Sequence, residues 1–451
     1  MNADSIGDGR TIVALSTPPG RGALALVRMS GHEASVIARA LLHPVPCVIR
    51  RATHCLVRAA DGSIIDDAVA TLYLAPHSFT GEDMLEISTH GGLITPTLVV
   101  AAALAAGGRV AEPGEFTRRA VLNEKLDLLQ AEAVGDLIEA RSSAAHAMAL
   151  RQLDGGLSRR IGELRAKILT LEAQLAYDID FPEEDDGPIP RERIALSAAM
   201  IQAALDALLV TSDLGTLIHD GALIVLAGPP NAGKSSLFNA LLGEARAIVT
   251  EVPGTTRDAI EAVLDTPHWP LRLVDTAGLR ETGDTLERMG IEVSSRYVGK
   301  AAIVLACVDA GESSFLLGQL EELTKAPIIT VRTKCDLVTK GEYSDADIAV
   351  SASTGDGIQA LLDLIDHRLA GQHGNPVVDA PVLTRARHRA AVECATSEMR
   401  QFLDGWTNAL LPSSVAATHI HAAARALSAL IGVVETDDIL DVVFRTFCVG
   451  K

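Results

Sequence analysis

Aromatic residues and cysteines are scarce in this chain. Phe, Trp and Tyr account for 3% of its 451 residues, so its cores are expected to consist mainly of Leu, Ile, Val and Ala. Its 6 cysteines form no Cys-x-x-Cys pair, and their spacing fits neither a disulfide framework nor a zinc site. A reducing cytoplasm is therefore the expected location.

Long apolar runs and an excess of positive charge are also missing. No stretch of about 18 or more apolar residues occurs, which argues against a membrane-spanning helix. The N-terminus lacks the basic start and apolar run of a secretion signal. With 39 Lys and Arg against 58 Asp and Glu, the net charge of −19 disfavours non-specific nucleic-acid binding through overall charge, although a local basic patch is compatible with it.

The chain does have the length and apolar content of a multidomain protein. At roughly 100–200 residues per domain, 451 residues suggest two to four domains, and a hydrophobic share of 48% is enough for several cores. Residues 1–120 mix short strand-like runs with turns, including strands predicted at 11–15, 23–27 and 64–73, and a helix predicted at 98–106. This mixture predicts an α+β N-terminal domain.

Residues 121–220 are predicted to be helical. The acidic run 178–186 is interpreted as a solvated loop that breaks the helix, with a metal or partner site as the alternative. Before it, apolar residues step by three or four without a break, which predicts a packing face in a helical bundle, with a ligand site on that face as the alternative. These residues are Leu150, Leu153, Leu157, Ile161, Leu164, Ile168, Leu171 and Leu175.

Residues 221–374 alternate strand-like and helix-like segments. Short apolar runs at 222–227, 302–308 and 328–331 are separated by helical spacing, which predicts a mostly parallel sheet with helices on both faces. The helical pattern returns in residues 375–451. The predicted architecture is a multidomain chain in which an α/β domain is inserted into a helical-bundle domain, whose two halves pair in space.

The strongest local motif is GPPNAGKS at 228–235, which matches GxxxxGK[ST] between a predicted strand and a predicted helix. Glycines allow backbone N–H groups to turn toward phosphate oxygens at the N-terminus of a helix. Lys234 is expected to reach the β and γ phosphates as a catalytic residue, and the Ser235 hydroxyl is expected to bind Mg²⁺.

Further segments follow in the order that a GTPase requires. The segment 275–278 (DTAG) follows an apolar run and places a carboxylate near Mg²⁺, and Thr256 is expected to complete the Mg²⁺ shell. Asp336 can accept both the ring N–H and the exocyclic amine of guanine, and the segment 351–353 is expected to close over the base. We therefore predict a Ras-like P-loop GTPase domain, with nucleotide contacts at Asn231, Ala232, Gly233, Lys234, Ser235, Ser236, Thr250, Glu251, Val252, Pro253, Gly254, Thr255, Thr256, Asp275, Thr276, Ala277, Gly278, Thr333, Lys334, Asp336, Ser351 and Ala352.

Leu279 occupies a position where many Ras-like enzymes have Gln, and its apolar side chain cannot orient water. Hydrolysis then requires another way to stabilise the charge that develops on the phosphates. We expect a potassium ion to do this. Its oxygen ligands are predicted to come from Asn231, Thr250, Val252 and Thr255.

Several segments outside the nucleotide motifs carry a resemblance to a known family. They are TPPGRG at 17–22, SFTGED at 78–83, HGG at 90–92, PGEFT at 113–117, LNEKLD at 122–127 and the terminal CVGK at 448–451. With the inserted GTPase domain, and over essentially the full length, the chain resembles the MnmE (TrmE) family of bacterial tRNA modification GTPases, within the TrmE-Era-EngA-like GTPases. A terminal Cys-x-Gly-Lys together with a GTPase insertion is highly specific.

The resemblance implies a function that residue spacing does not show. Members of the family act in a heterotetramer with an FAD-dependent partner called MnmG (GidA), which alone carries the FAD. The complex adds an aminomethyl or carboxymethylaminomethyl group at carbon 5 of the wobble uridine of certain tRNAs. The one-carbon unit comes from a 5-formyl- or 5,10-methylene-tetrahydrofolate, and GTP hydrolysis drives rearrangement of the complex. Members are homodimers through their N-terminal domains.

The resemblance also implies roles for individual residues. Arg and Lys can pair with the glutamate-tail carboxylates of folate, and Glu86 can accept hydrogen bonds from the N–H groups of its pterin. Cys448 is a candidate for covalent or acid–base chemistry, with a small buried hydrophobe as the alternative, and Glu287 for ordering the attacking water. The folate contacts of the family fall on Arg28, Glu86, Lys125 and Lys451.

Thr333 departs from the family pattern, which has Asn at this position. Asn ties the base to the phosphate loop through its amide, whereas Thr has one hydroxyl and a shorter reach. Because guanine selectivity rests chiefly on Asp336, the departure is expected to affect affinity more than specificity.

Two other functions compete with this interpretation. One is a regulatory GTPase without modification chemistry, for example in ribosome assembly, which leaves the terminal Cys-x-Gly-Lys unexplained. The other is an independent one-carbon enzyme that merely carries a GTPase, but residues 1–120 offer no self-sufficient catalytic set. A basic cluster predicts either a solvated helix face or a phosphate contact, and consists of Arg385, Arg387, His388 and Arg389.

Overall fold

The structure is a computed structural model, and the chain in it divides into two compact units. The first contains residues 1–135 and 431–451, and the second contains residues 136–430. The residues that it describes are 9–180, 189–244, 246–248, 260–275, 296–308, 313–337, 346–374, 381–408, 412–432, 443–444, 447 and 450.

The first unit is built on a sheet that has seven strands in its described residues. Its order is β3-β4-β5-β6-β2-β1-β7, and neighbours are antiparallel except β1 and β7, which are parallel. The strands are β1 (Ile12–Leu15), β2 (Leu24–Ser30), β3 (Leu42–His43), β4 (Thr53–Arg58), β5 (Ile64–Tyr73), β6 (Met84–His90) and β7 (Arg109–Val110).

Helices α1 (Ala34–Leu41) and α2 (Ile94–Ala105) cover one face of this sheet. They share an apolar core with its central strands, in which Ile37 and Val99 have no exposed surface. The predicted helix at 98–106 exists, but it begins four residues earlier, since Pro96 is accommodated in the first turn, where its missing N–H costs nothing. The unit also contains α3 (Glu115–Leu122), and α4 (Leu128–Glu139) leads into the second unit. The α+β prediction is confirmed.

A buried ion-pair network ties α3 to the sheet. Glu115 is 1% exposed, receives a hydrogen bond of 2.8 Å from Arg109, and pairs at 3.0 Å with Arg119, which also pairs with Glu82 at 2.9 Å. Burial raises the pKa of the Glu115 carboxyl, but hydrogen bonds from Arg109 and the Glu112 amide outweigh it and lower the pKa overall. Because the carboxylate is both buried and paired, loss of one partner would leave a costly unpaired charge.

The second unit begins with a helical bundle. Its helices are α5 (Ser143–Leu153), α6 (Gly156–Asp180) and α7 (Arg191–Asp220), joined after the sheet domain by the helices 386–407 and 413–431. The prediction of one unbroken helical stripe from Leu150 to Leu175 is wrong at one point. Gly155, at φ +80°, separates α5 from α6, and Leu150 in α5 is 45% exposed. From Leu157 to Leu175 the stripe is buried as a packing face. The helix also extends into the acidic run as far as Asp180, and 181–188 lie outside the described residues.

Helix α7 is long and apolar enough to cross a membrane by length and composition alone, and it is the one such helix among the described residues. Length and composition do not distinguish a spanning helix from a helix in a bundle. Ile194, Ile201 and Leu205 form a buried stripe along it, and α7 packs against the helix 386–407. This packing accounts for the apolar stripe of α7.

The second unit also contains a mostly parallel sheet, as predicted, again with seven strands in the part of the chain that the structure describes. Its strands are β8 (Ala222–Ala227), β9 (Arg246–Ile248), β10 (Ile260–Asp265), β11 (Pro270–Asp275), β12 (Ile303–Val308), β13 (Ile328–Arg332) and β14 (Ile348–Ala349). The order is β14-β13-β12-β8-β11-β10-β9, with antiparallel pairs only at β10–β11 and β9–β10. Helices α8 (Lys234–Glu244), α9 (Ser313–Leu323) and α10 (Ile358–His373) cover its faces. Strands β8 and β12 are buried along their whole length, which explains their continuous apolar sequences.

The bundle closes with α11 (Ala386–Thr407) and α12 (Ser413–Ile431), and the basic cluster lies at the start of α11. Arg385 pairs with Asp136, and Arg389 pairs with Asp213 at 2.8 Å. His388 has no exposed surface. These contacts bind the cluster to protein groups, which favours a structural role for it over contact with phosphate.

A charged cluster lies where α7 enters β8. The His219 imidazole contacts Asp136 at 3.1 Å and Asp220 at 2.7 Å, while Arg385 pairs with Asp136 and Arg272 adds positive charge near Asp220. Hydrogen bonds to the two carboxylates raise the pKa of His219 to about 9. His219 is therefore an imidazolium at neutral pH.

Because this pKa is raised, the stabilising effect of His219 is complete below pH 6.5 and is lost as the pH rises toward 9. We expect the free energy of unfolding of the second unit, measured by urea titration, to fall by up to about 3 kcal/mol across this range. His219→Gln should remove most of this dependence. His268→Gln, which alters an exposed imidazole paired with Asp366, should keep it. Identical pH profiles for His219→Gln and the unaltered chain would contradict the prediction.

Candidate functional site

The predicted phosphate loop connects β8 to α8 and depends on backbone conformations that few residues adopt. Gly228 has φ +152°, and a Cβ added there would overlap the carbonyl oxygen of Cys307 on the neighbouring strand. Gly233 has φ +79° and Asn231 has φ +64°, and glycine and asparagine are the residues that tolerate such angles best. The turn therefore needs both glycines of the motif for steric reasons.

Lys234 begins α8 and points back across this turn. Its ammonium donates to the carbonyl oxygens of Gly228 at 3.0 Å and Pro229 at 2.8 Å, and the side chain is 5% exposed. A largely buried ammonium held inside a loop at a helix N-terminus forms a site for a polyanion. The placement of Lys234 agrees with its predicted role at the phosphates.

Ser235 and Asp275 are brought together although 40 positions separate them. The Ser235 hydroxyl donates to Asp275 at 2.7 Å, and Asp275 is 2% exposed. The parallel register pairs Asp275 with Leu226, so the carboxylate stands where β8 turns into the loop. A hydroxyl and a carboxylate are hard oxygen donors that suit Mg²⁺, and they fit the predicted metal role of Ser235.

Thr333 is buried and ties the base-side loop to the phosphate loop. Its hydroxyl donates to the carbonyl oxygen of Ala232 at 2.7 Å, and a Cβ added at Gly233 would lie 3.2 Å from this hydroxyl oxygen. Lys334, at φ +56°, donates to the carbonyl oxygen of Asn231 at 2.8 Å. Although Thr is shorter than Asn, its hydroxyl thus reaches the phosphate loop.

Asp336 and the segment 351–353 meet at the same edge of the sheet. Ser353 donates to Asp336 at 3.1 Å, and the hydroxyls of Ser351 and Ser353 lie 2.9 Å apart. The pKa of Asp336 is lowered, chiefly by hydrogen bonding from Ser351. The Asp336 carboxylate is therefore ionised at neutral pH, as an acceptor for two guanine N–H groups must be.

Ser353 belongs to the segment 351–353 that was predicted to close over the base, but it was not among the individually predicted nucleotide contacts. The exposed Ser236 and the half-buried Ala352 flank the loop and the base-side segment. In the described chain, no group of three or more His, Cys, Asp or Glu residues forms a metal cluster. The following predicted residues lie outside the described residues: Thr250, Glu251, Val252, Pro253, Gly254, Thr255, Thr256, Thr276, Ala277, Gly278, Glu287, Cys448 and Lys451.

The first unit contains a cavity of about 400 Å³ that includes two of the predicted folate residues, Glu86 and Lys125. Lys125 donates to the carbonyl oxygen of Pro76 at 3.0 Å. Gly450, next to the undescribed Lys451, accepts a hydrogen bond of 3.0 Å from Ser16 at the end of β1. The cavity is lined by Arg50, Tyr73, His77, Ser78, Phe79, Met84, Glu86 and Lys125.

Arg28 and Glu86 are partners of each other. They face each other across β2 and β6, and Nε and Nη2 of Arg28 donate to one Glu86 oxygen at 2.9 and 2.7 Å. Tyr73 donates to the other oxygen at 3.3 Å. The Arg28 guanidinium also lies 5.6 Å from the Phe79 ring centre and 5.9 Å from that of Phe116.

Two family models match the chain. The MnmE helical domain matches residues 128–448, and the GTP-binding protein TrmE N-terminus matches residues 11–125. The tRNA modification GTPase MnmE of Moorella thermoacetica is 39% identical over 461 aligned positions, which cover 98% of this chain and 99% of the relative.

Another relative and a solved structure complete the comparison. The tRNA modification GTPase MnmE of Azoarcus sp. is 42% identical, and the alignment covers 98% of each chain. The solved G domain of the T. maritima FeoB iron transporter is 27% identical at a TM-score of 0.26, and covers 33% of this chain and 98% of that one. The family assignment rests on the sequence relatives and the two family models, and by these the chain belongs to the MnmE family of tRNA modification GTPases.

Proposed function

We propose that the chain is a GTPase that acts in tRNA modification. The observation that carries this proposal is the convergence of Lys234, the Ser235–Asp275 pair and Asp336 at one edge of the parallel sheet. In open α/β sheets, ligands bind outside the carboxyl ends of the strands, where these residues lie. The relatives are named tRNA modification GTPases, and we take from these names the process in which GTP hydrolysis is used.

The described residues divide the work of holding the nucleotide. Lys234 would exchange its bonds to the Gly228 and Pro229 carbonyls for phosphate oxygens. Ser235 and Asp275 would hold Mg²⁺, which neutralises charge on the phosphates when it is bound. Asp336 would accept the two N–H groups that distinguish guanine from adenine. Hydrolysis breaks the bond between the γ phosphorus and its bridging oxygen, with water as the nucleophile.

Charge that develops during hydrolysis requires a stabilising group that Leu279 does not provide. We propose that a potassium ion has this role, bound by Asn231, Thr250, Val252 and Thr255, and that Glu287 orders water. Asn231 supports this because it lies in the phosphate loop and is exposed there.

The finer part of the proposal follows the family. The chain would form a homodimer through residues 1–120 and a heterotetramer with the FAD-dependent subunit MnmG (GidA). Residues 221–374 would bind GTP, and the helical segments 121–220 and 375–451 would transmit the effect of hydrolysis. The product would be an aminomethyl or carboxymethylaminomethyl group at carbon 5 of the wobble uridine, with a tetrahydrofolate as the one-carbon donor and Cys448 in a chemical role.

The first test joins hydrolysis to modification in one set of variants. Lys234→Ala should lower GTP hydrolysis by about 100-fold or more, because a buried ammonium at the phosphates is lost. In cells that lack the chain, Lys234→Ala should also fail to restore the wobble modification, measured by nucleoside digestion of tRNA. Lys325→Ala, which removes an exposed lysine of the same domain, should restore both. If tRNA from cells without the chain kept its modified nucleoside, the alternative of a purely regulatory GTPase would replace the proposal.

The potassium proposal predicts a dependence on the monovalent cation. At equal ionic strength, GTP hydrolysis should be about tenfold or more faster in KCl than in NaCl, since K⁺ would complete an oxygen shell at the phosphates. Asn231→Gly should reduce this preference, because glycine keeps the left-handed backbone but lacks the amide oxygen. Equal rates in the two salts would remove potassium from the mechanism.

Thr333 offers a separate test of the site. Thr333→Val keeps the side-chain shape but deletes the hydroxyl that binds the Ala232 carbonyl, so GDP affinity should fall by about three- to tenfold. Thr333→Asn should restore affinity, because its amide can make the same bond. Selectivity for guanine over adenine nucleotides should stay unchanged in both variants, since it depends on Asp336. Unaltered GDP affinity of Thr333→Val, measured by fluorescence titration, would show that the tie is unnecessary.

A further inference from the structure

The chain crosses twice between the parallel sheet of the second unit and its helical bundle, and a glycine with positive φ lies at each crossing. Gly221, with φ +83°, separates α7 from β8, and Gly374, with φ +75°, follows α10. Hinges in proteins are a few loop or element-terminal residues that absorb changes in φ and ψ. The two crossings therefore have the character of hinges between the sheet and the bundle.

The hairpin formed by β10 and β11 is tied to the bundle by a polar contact. Asp265, the last residue of β10, accepts two hydrogen bonds from Ser143, the first residue of α5. The Ser143 amide donates at 3.0 Å and its hydroxyl donates at 2.8 Å. A carboxylate is favoured at this end of a helix, because the first amides have no partner within the helix. A residue of the sheet thus stabilises the N-terminus of a bundle helix.

Helix α5 is also anchored at two further points of the junction. Met148 is 7% exposed and belongs to the apolar core that contains the inward residues of β10 and β11. Gln152 donates to the carbonyl oxygen of Val382 at 3.2 Å and to the hydroxyl of Thr384 at 3.0 Å, in the segment that returns from the sheet to α11. A displacement of α5 would therefore be felt in the rest of the bundle.

The junction is not close-packed beside this contact. A cavity of about 700 Å³ is bounded by Ala145 and Met148 of α5 and by Val263 and Pro270 of the hairpin, among other residues. Close-packed interiors resist deformation, whereas a cavity leaves room for small displacements. The hairpin has space to shift against α5, and the bonds between Asp265 and Ser143 must then follow the shift or break.

The opposite end of the hairpin reaches the nucleotide site. The register pairs Asp265 with Pro270 at the tip and Ile260 with Asp275 at the far end. At about 3.4 Å per residue, the two ends are about 17 Å apart. Because Asp275 contacts Ser235 at 2.7 Å, any shift of β11 at the metal site is carried along the paired strands toward Asp265. A displacement of about 1 Å is enough to break a hydrogen bond at the tip.

We propose that the contact between Asp265 and Ser143 couples the nucleotide site to the helical bundle. A change at the phosphates moves the hairpin, and the hairpin moves α5 through this contact. The proposal rests on the proposed function, since it assigns the route by which GTP hydrolysis reaches the helical segments. Asp265 and Ser143 are positioning residues in this role, at the end of the hairpin away from the phosphate loop. Loss of the contact should therefore separate hydrolysis from modification.

The first measurement compares the two activities in the full-length chain. Asp265→Ala should keep GTP hydrolysis within about twofold, because the phosphate loop is distant from the change. In cells that lack the chain, it should lower the wobble modification by about fivefold or more, measured by nucleoside digestion of tRNA. Ser143→Ala, which keeps the amide donor, should have a smaller effect, and Ser143→Thr, which keeps the hydroxyl, should restore the modification.

Asp366→Ala is the matched control. It removes a carboxylate of α10 that contacts His268 at 3.1 Å, so it loosens the same hairpin without touching the bundle. This variant should keep both activities. Full modification with Asp265→Ala would overturn the proposal, and so would a parallel loss of hydrolysis and modification.

The second measurement uses the chain's two tryptophans, which lie on opposite sides of the contact. Trp269 lies between β10 and β11 at the hairpin tip and has no exposed surface, and Trp406 lies in α11 of the bundle. Trp406→Phe leaves the first as the sole reporter, and Trp269→Phe leaves the second. When GDP is replaced by a non-hydrolysable GTP analogue, with Mg²⁺ present, the fluorescence of each reporter should change.

Adding Asp265→Ala to each reporter chain should abolish the response of Trp406 and preserve that of Trp269. Adding Asp366→Ala should preserve both responses. A Trp406 response that is the same with and without Asp265, or that is missing in both, would overturn the proposal. Nucleotide binding is measured calorimetrically in the same samples. If neither nucleotide bound, the proposed GTPase function would fail, whereas bound nucleotide without the expected Trp406 pattern would defeat the coupling alone.

Discussion

The nucleotide site depends on one close approach between backbones, that of Gly228 to the carbonyl of Cys307 on β12. No side chain fits there, so the chain can leave β8 and turn directly into α8 only with glycine at this position. This turn places Lys234 over the loop carbonyls and Ser235 beside Asp275. The Ser235–Asp275 pair and the placement of Lys234 are consequences of the same steric constraint, supported by the parallel pairing of β8 with β11 and β12.

Charged side chains with little exposure recur as structural ties in both units. Glu115 is held by two arginines, Glu86 is held by Arg28 and Tyr73, and His219 is held between two aspartates. Each arrangement fixes the direction of a group whose burial would otherwise be costly.

Prediction of secondary structure from sequence succeeded where the pattern of apolar residues matches the local structure. The runs 222–227 and 328–331 are strands because parallel strands buried on both faces need continuous apolar residues. It failed at Gly155, where the apolar spacing continues through a turn and thus conceals the end of α5. The ion pair between Arg28 and Glu86 could not be predicted from sequence either. The two residues are 58 positions apart, and only the register of β2 with β6 makes them neighbours.

Sequence by itself determined the phosphate-loop motif, the order of the nucleotide segments, the α+β, helical and mostly parallel α/β parts, and the family resemblance. These features depend on residues that are close in the chain, or on patterns repeated along it. Tertiary structure alone decided that the Thr333 hydroxyl reaches Ala232, that Arg28 is occupied by Glu86, and that Arg50 lines the same cavity as Glu86. Such contacts arise from strand register and loop closure between distant segments, which no local pattern of residues encodes.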